Sequence, residues 1–181
     1  MAKPGWIRVY VGTALLAAGA STYAAWPSHS QSIDLWAVFS FLLVAFLLEQ
    51  TSNPLRVDAQ GSTSFIIHMA AGILFGPFWG GLVAGASTMA SQTIRQHPAI
   101  RVVFNTSQRI LSVTLGLFAY KSLGGNLPPS YLLEGAGLSS GIVRQDLGLF
   151  FVFAACYFAV NTVAVNCAVA ISSGRKFREV W

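Results

Sequence analysis

Leu35-Trp36-Ala37-Val38-Phe39-Ser40-Phe41-Leu42-Leu43-Val44-Ala45-Phe46-Leu47-Leu48 runs for fourteen residues with Ser40 as its only polar side chain. Backbone N–H and C=O groups in such surroundings must bond within their own segment, so the run reads as a helix. With Ile33 and Asp34 in front of it, the segment extends over about residues 33–48 and stops at Glu49. Similar apolar blocks recur on both sides, separated by short polar breaks. Crossing roughly 30 Å of hydrocarbon is the use for which blocks of this length are suited.

Composition agrees with that reading. Of the 181 residues, 54% are hydrophobic and 9% charged, against about 25% charged in a soluble domain. So few charges cannot coat a water-facing surface. The net charge of +5 invites a nucleic-acid partner, but the basic residues sit at the ends of apolar segments, where they report topology instead. No nucleic-acid partner is expected. Cys156 and Cys167 lie eleven apart within the last apolar segment and read as small buried apolar residues.

Outward from residues 33–48, six helices are predicted, over about 6–26, 33–48, 62–75, 78–93, 99–123 and 147–172. The first is bracketed by Trp6 and Trp26 as interfacial anchors. Lys3 and Arg8 before an apolar run also fit a signal peptide, but the run is long enough to cross and is kept as a helix. Pro27 with Ser28 to Ser32 forms a short loop, and residues 50–61 form a polar one containing Arg56 and Asp58. Gly76-Pro77 divides residues 62–93 into two short helices, which either span fully or dip in as a re-entrant pair. Gly80, Gly81, Ala84, Gly85 and Ser87 allow close helix approach. Arg95-Gln96-His97-Pro98 makes the next turn, and Gly124 to Arg144 a longer loop with Glu134 its only acid.

Lysine and arginine positions orient this arrangement. With the N-terminus inside, the inner side carries Lys3, Arg8, Arg56, Arg95, Arg101, Arg175, Lys176 and Arg178, and the outer side Lys121 and Arg144. Both termini are therefore expected on the cytoplasmic side.

No nucleophile elbow, phosphate-binding glycine loop or HExxH pattern is present. His29, His68 and His97 are far apart, so neither a metal nor a cofactor is expected, nor is catalysis. Polar side chains at membrane depth are the informative ones, because they are expensive there. Asn105, Gln108 and Arg109 lie on neighbouring faces of one helix, and Asn161 and Asn166, with Thr162, on adjacent faces of another. Two readings are open. These side chains line a cavity for a small ligand, or they cross-link helices while Arg109 snorkels toward the interface about two turns from Arg101. His68 reads as a satisfied packing residue.

Three stretches together resemble a known module: Gly61 to Phe65 with Leu74-Phe75-Gly76-Pro77; Arg95-Gln96-His97-Pro98 with Val103 to Gln108; and Tyr157 to Thr162 with Ser172 to Arg175 and Val180-Trp181. They are similar to the N-terminal membrane part of bacterial signalling proteins that carry a cytoplasmic HD-GYP or GGDEF domain. The resemblance covers roughly residues 33–181 and is spread over motifs of common membrane-helix residues. It implies a sensor; the catalytic domain is not among these residues, so its activity does not carry over. The Gly76-Pro77 turn and the glycine-rich helix behind it also resemble the substrate-binding membrane subunit of energy-coupling-factor vitamin transporters. The expectation is an all-α, six-helix protein of the bacterial inner membrane: a non-catalytic sensor or scaffold. The alternatives are a transport subunit or an accessory subunit of a larger complex. Its partners would be the lipid bilayer, other membrane proteins or a second copy, and a small-molecule ligand.

Overall fold

The computed structural model describes residues 4–27, 33–51, 53–56, 59–61, 63–129 and 140–180. Lys3, the predicted loop at residues 28–32, Asp58, Glu134 and Trp181 lie outside them. Helices α1 (Pro4–Ala24), α2 (Leu35–Gln50), α3 (Phe65–Ile94), α4 (Ala99–Ser122) and α5 (Ser140–Ser173) build the molecule, followed by the short α6 (Phe177–Val180). Among the described residues the fold is all-α apart from one small hairpin.

That hairpin corrects the loop expected between α2 and α3. Strands β1 (Asn53–Arg56) and β2 (Ala59–Gly61) pair antiparallel, Asn53 opposite Gly61, with an irregularity between Pro54 and Arg56. A second correction concerns α5, which starts at Ser140 instead of about 147. At the head of α2, Asp34 accepts a hydrogen bond from the Trp36 amide at 2.9 Å. This satisfies one of the donors that a helix start leaves without a partner.

Helix α3 is bent back on itself at Gly76, whose φ of 83° and ψ of 176° belong to a region open essentially to glycine alone. Pro77 then opens the second limb at the first helical position, where its missing N–H is not needed. The limbs (65–75 and 77–94) lie antiparallel: His68 reaches Ser87 at 3.0 Å. A methyl group on Gly80 would stand 2.5 Å from the Gly72 Cα. The predicted pair of short helices is therefore a hairpin with its limbs in backbone contact.

Helix α4 is the hub, packed on α1, α3 and α5. Gln92 of the second α3 limb meets Asn105, Tyr10 of α1 meets Phe104, and Gly116 rests on Phe153 of α5. The apolar core (Met69, Ala84, Val113, Leu117, Tyr120, Phe153 and Tyr157) lies along this hub, and a smaller cluster of Ala45, Ala71 and Val83 joins α2 to α3.

Burial does not follow the pattern of a water-soluble protein. Among the described residues thirteen hydrophobic side chains are buried, and beside them twelve polar ones, including Glu49, His68, Gln92 and Gln108. Outside, twenty-six large hydrophobics are exposed, Trp36 at 80% and Leu16 at 76%. Two helices, Phe65–Ile94 and Asp146–Ser173, are long and apolar enough to cross a membrane, and Leu35–Gln50 is apolar but shorter. The bend at Gly76 means that the first of these is not one straight rod. Cys156 and Cys167, expected to be buried, are half-buried.

Candidate functional site

At one end of the bundle five helix segments converge: the start of α1, the end of α2, the end of the second α3 limb, the start of α4 and the end of α5. The alternating direction of the helices brings these ends together. Between them lies a partly open cavity of about 740 Å³. Its walls include Ile7, Val11 and Phe104 as apolar surface, and Glu49, Thr88, Gln92, Arg101 and Ser172 as polar surface. All five residues singled out from the sequence line it too: Asn105, Gln108, Arg109, Asn161 and Asn166.

Their hydrogen bonds explain how they are held. The Gln108 Nε2 donates to Asn161 Oδ1 at 2.5 Å and to Ser112 Oγ at 3.1 Å, tying α4 to α5. Asn105 Nδ2 donates to Gln92 Oε1 at 3.2 Å, tying α4 to α3. The Arg109 guanidinium donates to the Tyr157 hydroxyl at 3.0 Å. Tyr157 is itself fully buried, so this bond fixes the guanidinium against a rigid wall. Arg109 is half-buried, its head accessible to the cavity. Gln108 and Asn105 thus cross-link helices and line the cavity at once. Arg109 is anchored by a side chain of α5.

The remaining acid is engaged elsewhere. Glu49 is buried and accepts a hydrogen bond from Ser64 Oγ. It interacts electrostatically with Arg109, but no ion pair within 4 Å joins the two among the described residues. Arg95 closes the end of α2, donating to the Glu49 and Gln50 carbonyls at 2.8 and 2.7 Å. Thr88 is 2% exposed, and its hydroxyl has no hydrogen-bond partner. His68 lies deeper and corrects the expectation of a satisfied packing residue: Nε2 meets Ser87, whereas Nδ1 is buried without a partner.

The sequence reading missed Glu49, Thr88, Gln92 and Tyr157. In the sequence Glu49 marks only the end of a predicted span, and the other three are ordinary in membrane helices. Only the antiparallel register of α4 and α5 sets Tyr157 opposite Arg109. In turn between α3 and α4, His97 has its pKa lowered from the ordinary 6.5 by partial burial, then by the charges of Arg101 and Arg95. No group of three or more His, Cys, Asp or Glu placed to hold a metal occurs among the described residues. Compared with family models, with curated proteins and with solved structures, the chain finds no match in any of the three.

Proposed function

We propose that this chain is a multi-pass sensor module of the bacterial inner membrane, without catalytic activity of its own, whose cavity receives a small molecule. The observation that carries the reading is the cavity itself. At 740 Å³ it falls in the size range of small-molecule sites, and its polar side chains come from four different helices. A ligand bridging those helices favours one packing of the bundle over another, which is the element a membrane sensor needs. The resemblance to the membrane part of HD-GYP and GGDEF proteins adds the output: a cytoplasmic domain that responds to that packing.

Six crossings are part of the proposal. The exposed apolar surface is what lipid-facing helices require, and several buried polar residues are bonded across helices, Gln108 to Asn161, Gln92 to Asn105 and Thr114 to Ser21, as membrane interiors favour. Trp26 and Phe78, stacked edge to face at 4.9 Å, with Trp79 beside them, stand at the end opposite the cavity. There they fit an interfacial aromatic belt. The first α3 limb rises only about 16 Å, about half the hydrocarbon thickness, so its crossing is the part of the proposal that labelling at Gly76 decides. A cysteine at Gly76 that labels from the periplasm supports six crossings, and labelling only from the cytoplasm sinks them.

One second reading has an observation in its favour. A small bundle with a ligand-sized cavity also fits a transport subunit that borrows its ATPase. Mild-detergent purification from native membranes, followed by native mass spectrometry, separates the two. A bound small molecule with the chain alone, or with a fused signalling domain, supports the sensor. Stoichiometric ATPase and membrane partners support transport. A chain carrying no small molecule, and unable to be labelled at Asn105→Cys by a small maleimide, overturns both.

A further inference from the structure

Resting on the reading that the cavity takes a ligand, we infer that the ligand is an organic oxyanion, a carboxylate or phosphate ester, gripped by Arg109 and oriented by the surrounding amides. The argument begins with donors. A guanidinium has five N–H groups in a rigid fork, and Arg109 spends one on the Tyr157 hydroxyl, a neutral acceptor. Among the described residues no other protein acceptor takes the remaining four. A cation at this depth is costly unless matched by negative charge. The nearby carboxylate of Glu49 is occupied by Ser64 and is not in ion-pair contact.

The rest of the wall points the same way. Arg101 stands two helical turns from Arg109, toward the cavity's open end, so the charge on this face of α4 is doubly positive against one acid. The Thr88 hydroxyl, buried on the wall with no partner, offers a further donor. Asn161 and Asn166 supply amides that read hydroxyl or carbonyl groups on the ligand body, while Val11 and Phe104 give it apolar cover. Tyr157 engages one terminal nitrogen of Arg109, which leaves another edge of the fork for two parallel bonds to an oxyanion, the strongest geometry a guanidinium offers. A neutral or cationic ligand would leave these donors unmatched.

Thermal unfolding of the full chain in a neutral detergent tests this. The probes are benzoate, phenyl phosphate and the neutral isostere benzamide, with potassium chloride at matched ionic strength as control. In parallel, the chain is unfolded in phosphatidylcholine nanodiscs with and without phosphatidate. A raised midpoint with benzoate or phenyl phosphate, absent with benzamide and chloride, is the expected result. Stabilisation by phosphatidate alone identifies a lipid headgroup as the source of the oxyanion. Arg109→Gln should weaken the response roughly ten- to hundredfold, and Arg109→Lys less. Glu49→Gln should strengthen it several-fold by removing a like charge. Should Arg109→Gln fail to fold, Arg101→Gln, which touches no buried bond, still lowers oxyanion affinity. Benzamide stabilising as well as benzoate, or Arg109→Gln responding like the parent, overturns the inference. So does a chain indifferent to every oxyanion; if Asn105→Cys is then still labelled by a small neutral maleimide, the cavity reading survives alone.

Discussion

From Arg101 to Arg109, α4 sends long polar side chains across a cavity; from Ile110 to Ser122 the same helix lies against its neighbours with almost no space between. Glycine makes the difference. Methyl groups on Gly72 and Gly85 would come within 2.7 Å of Leu117 and Ile110, and one on Gly116 within 2.7 Å of the Phe153 ring. Small residues facing a helix let backbones approach and leave no room for a ligand. Toward the start of α4 the neighbours are Gln92, Asn161 and Tyr157, whose length holds the helices apart. One helix thus serves as packing spine at one end and cavity wall at the other.

The largest effect should come from filling the tight half. Gly80→Ala places a methyl group 2.5 Å from the Gly72 Cα and 2.8 Å from its nitrogen, and backbone cannot step aside as a side chain can. The α3 limbs must separate, at a cost of about 1–3 kcal/mol. Thermal unfolding in detergent should show a clearly lowered midpoint. An unchanged midpoint would mean that the limbs are not in contact and that the contrast along α4 is false.

The tight half was the more legible one. Gly76-Pro77 announced a sharp turn and the small residues after it a close contact, because local backbone chemistry fixes both. The polar residues of the cavity half were equally visible, since Asn105, Gln108 and Arg109 interrupt an apolar block. Their partners were not visible. Tyr157 stands opposite Arg109 only because α4 and α5 run antiparallel in the register that seats Gly116 on Phe153, which is a fact of tertiary packing. The hairpin over residues 53–61 escaped notice because its pairing is made by backbone groups. The early start of α5 escaped because Ser140, Gly141 and Gln145 carry no apolar signal.

A middle-sized test compares the helix ends on the two sides. Both α3 and α4 close with a left-handed residue followed by crossed backbone bonds. At the cavity end, Gln96 (φ 55°) and His97 donate to the Thr93 and Gln92 carbonyls. At the far end, Gly124 (φ 93°) and Gly125 donate to Lys121 and Tyr120. The same motif is closed by glycine where packing is tight and by glutamine beside the cavity. Gly124→Gln should cost about 1 kcal/mol. Gln96→Gly should gain about as much, because the extra freedom of glycine in the unfolded chain enters the two changes with opposite sign. Unequal shifts in midpoint would show that the neighbours at one end, and not the left-handed backbone alone, set the cost.

Smaller still is the effect of cutting one cross-link in the cavity wall. Gln108→Ala removes the bond to Asn161, which faces the cavity and keeps access to water or ligand. The expected loss is about 0.6 kcal/mol, the usual size of an interhelical bond in a membrane protein. Paired with Asn161→Ala in a double-mutant cycle, it measures the link itself. A coupling several times larger would make the wall as rigid as the glycine half and erase the contrast from the other side.

The least effect concerns charge at the cavity end. His97 has its pKa held below 6.5 first by partial burial and then by Arg101 and Arg95. A base with a depressed folded pKa binds its proton later than the unfolded chain does. As pH falls through the unfolded value near 6.5, the unfolded state therefore gains protons first, and stability declines until the folded pKa is passed. Above that window His97 contributes no slope. His97→Gln should flatten the decline in midpoint between neutral and mildly acidic pH. Salt sharpens the test, because it screens the charges of exposed Arg101 and half-buried Arg95 and leaves the burial part in place. A slope that persists at high salt assigns the shift to burial; one that vanishes assigns it to the same cationic rim that the proposed oxyanion would meet on entering.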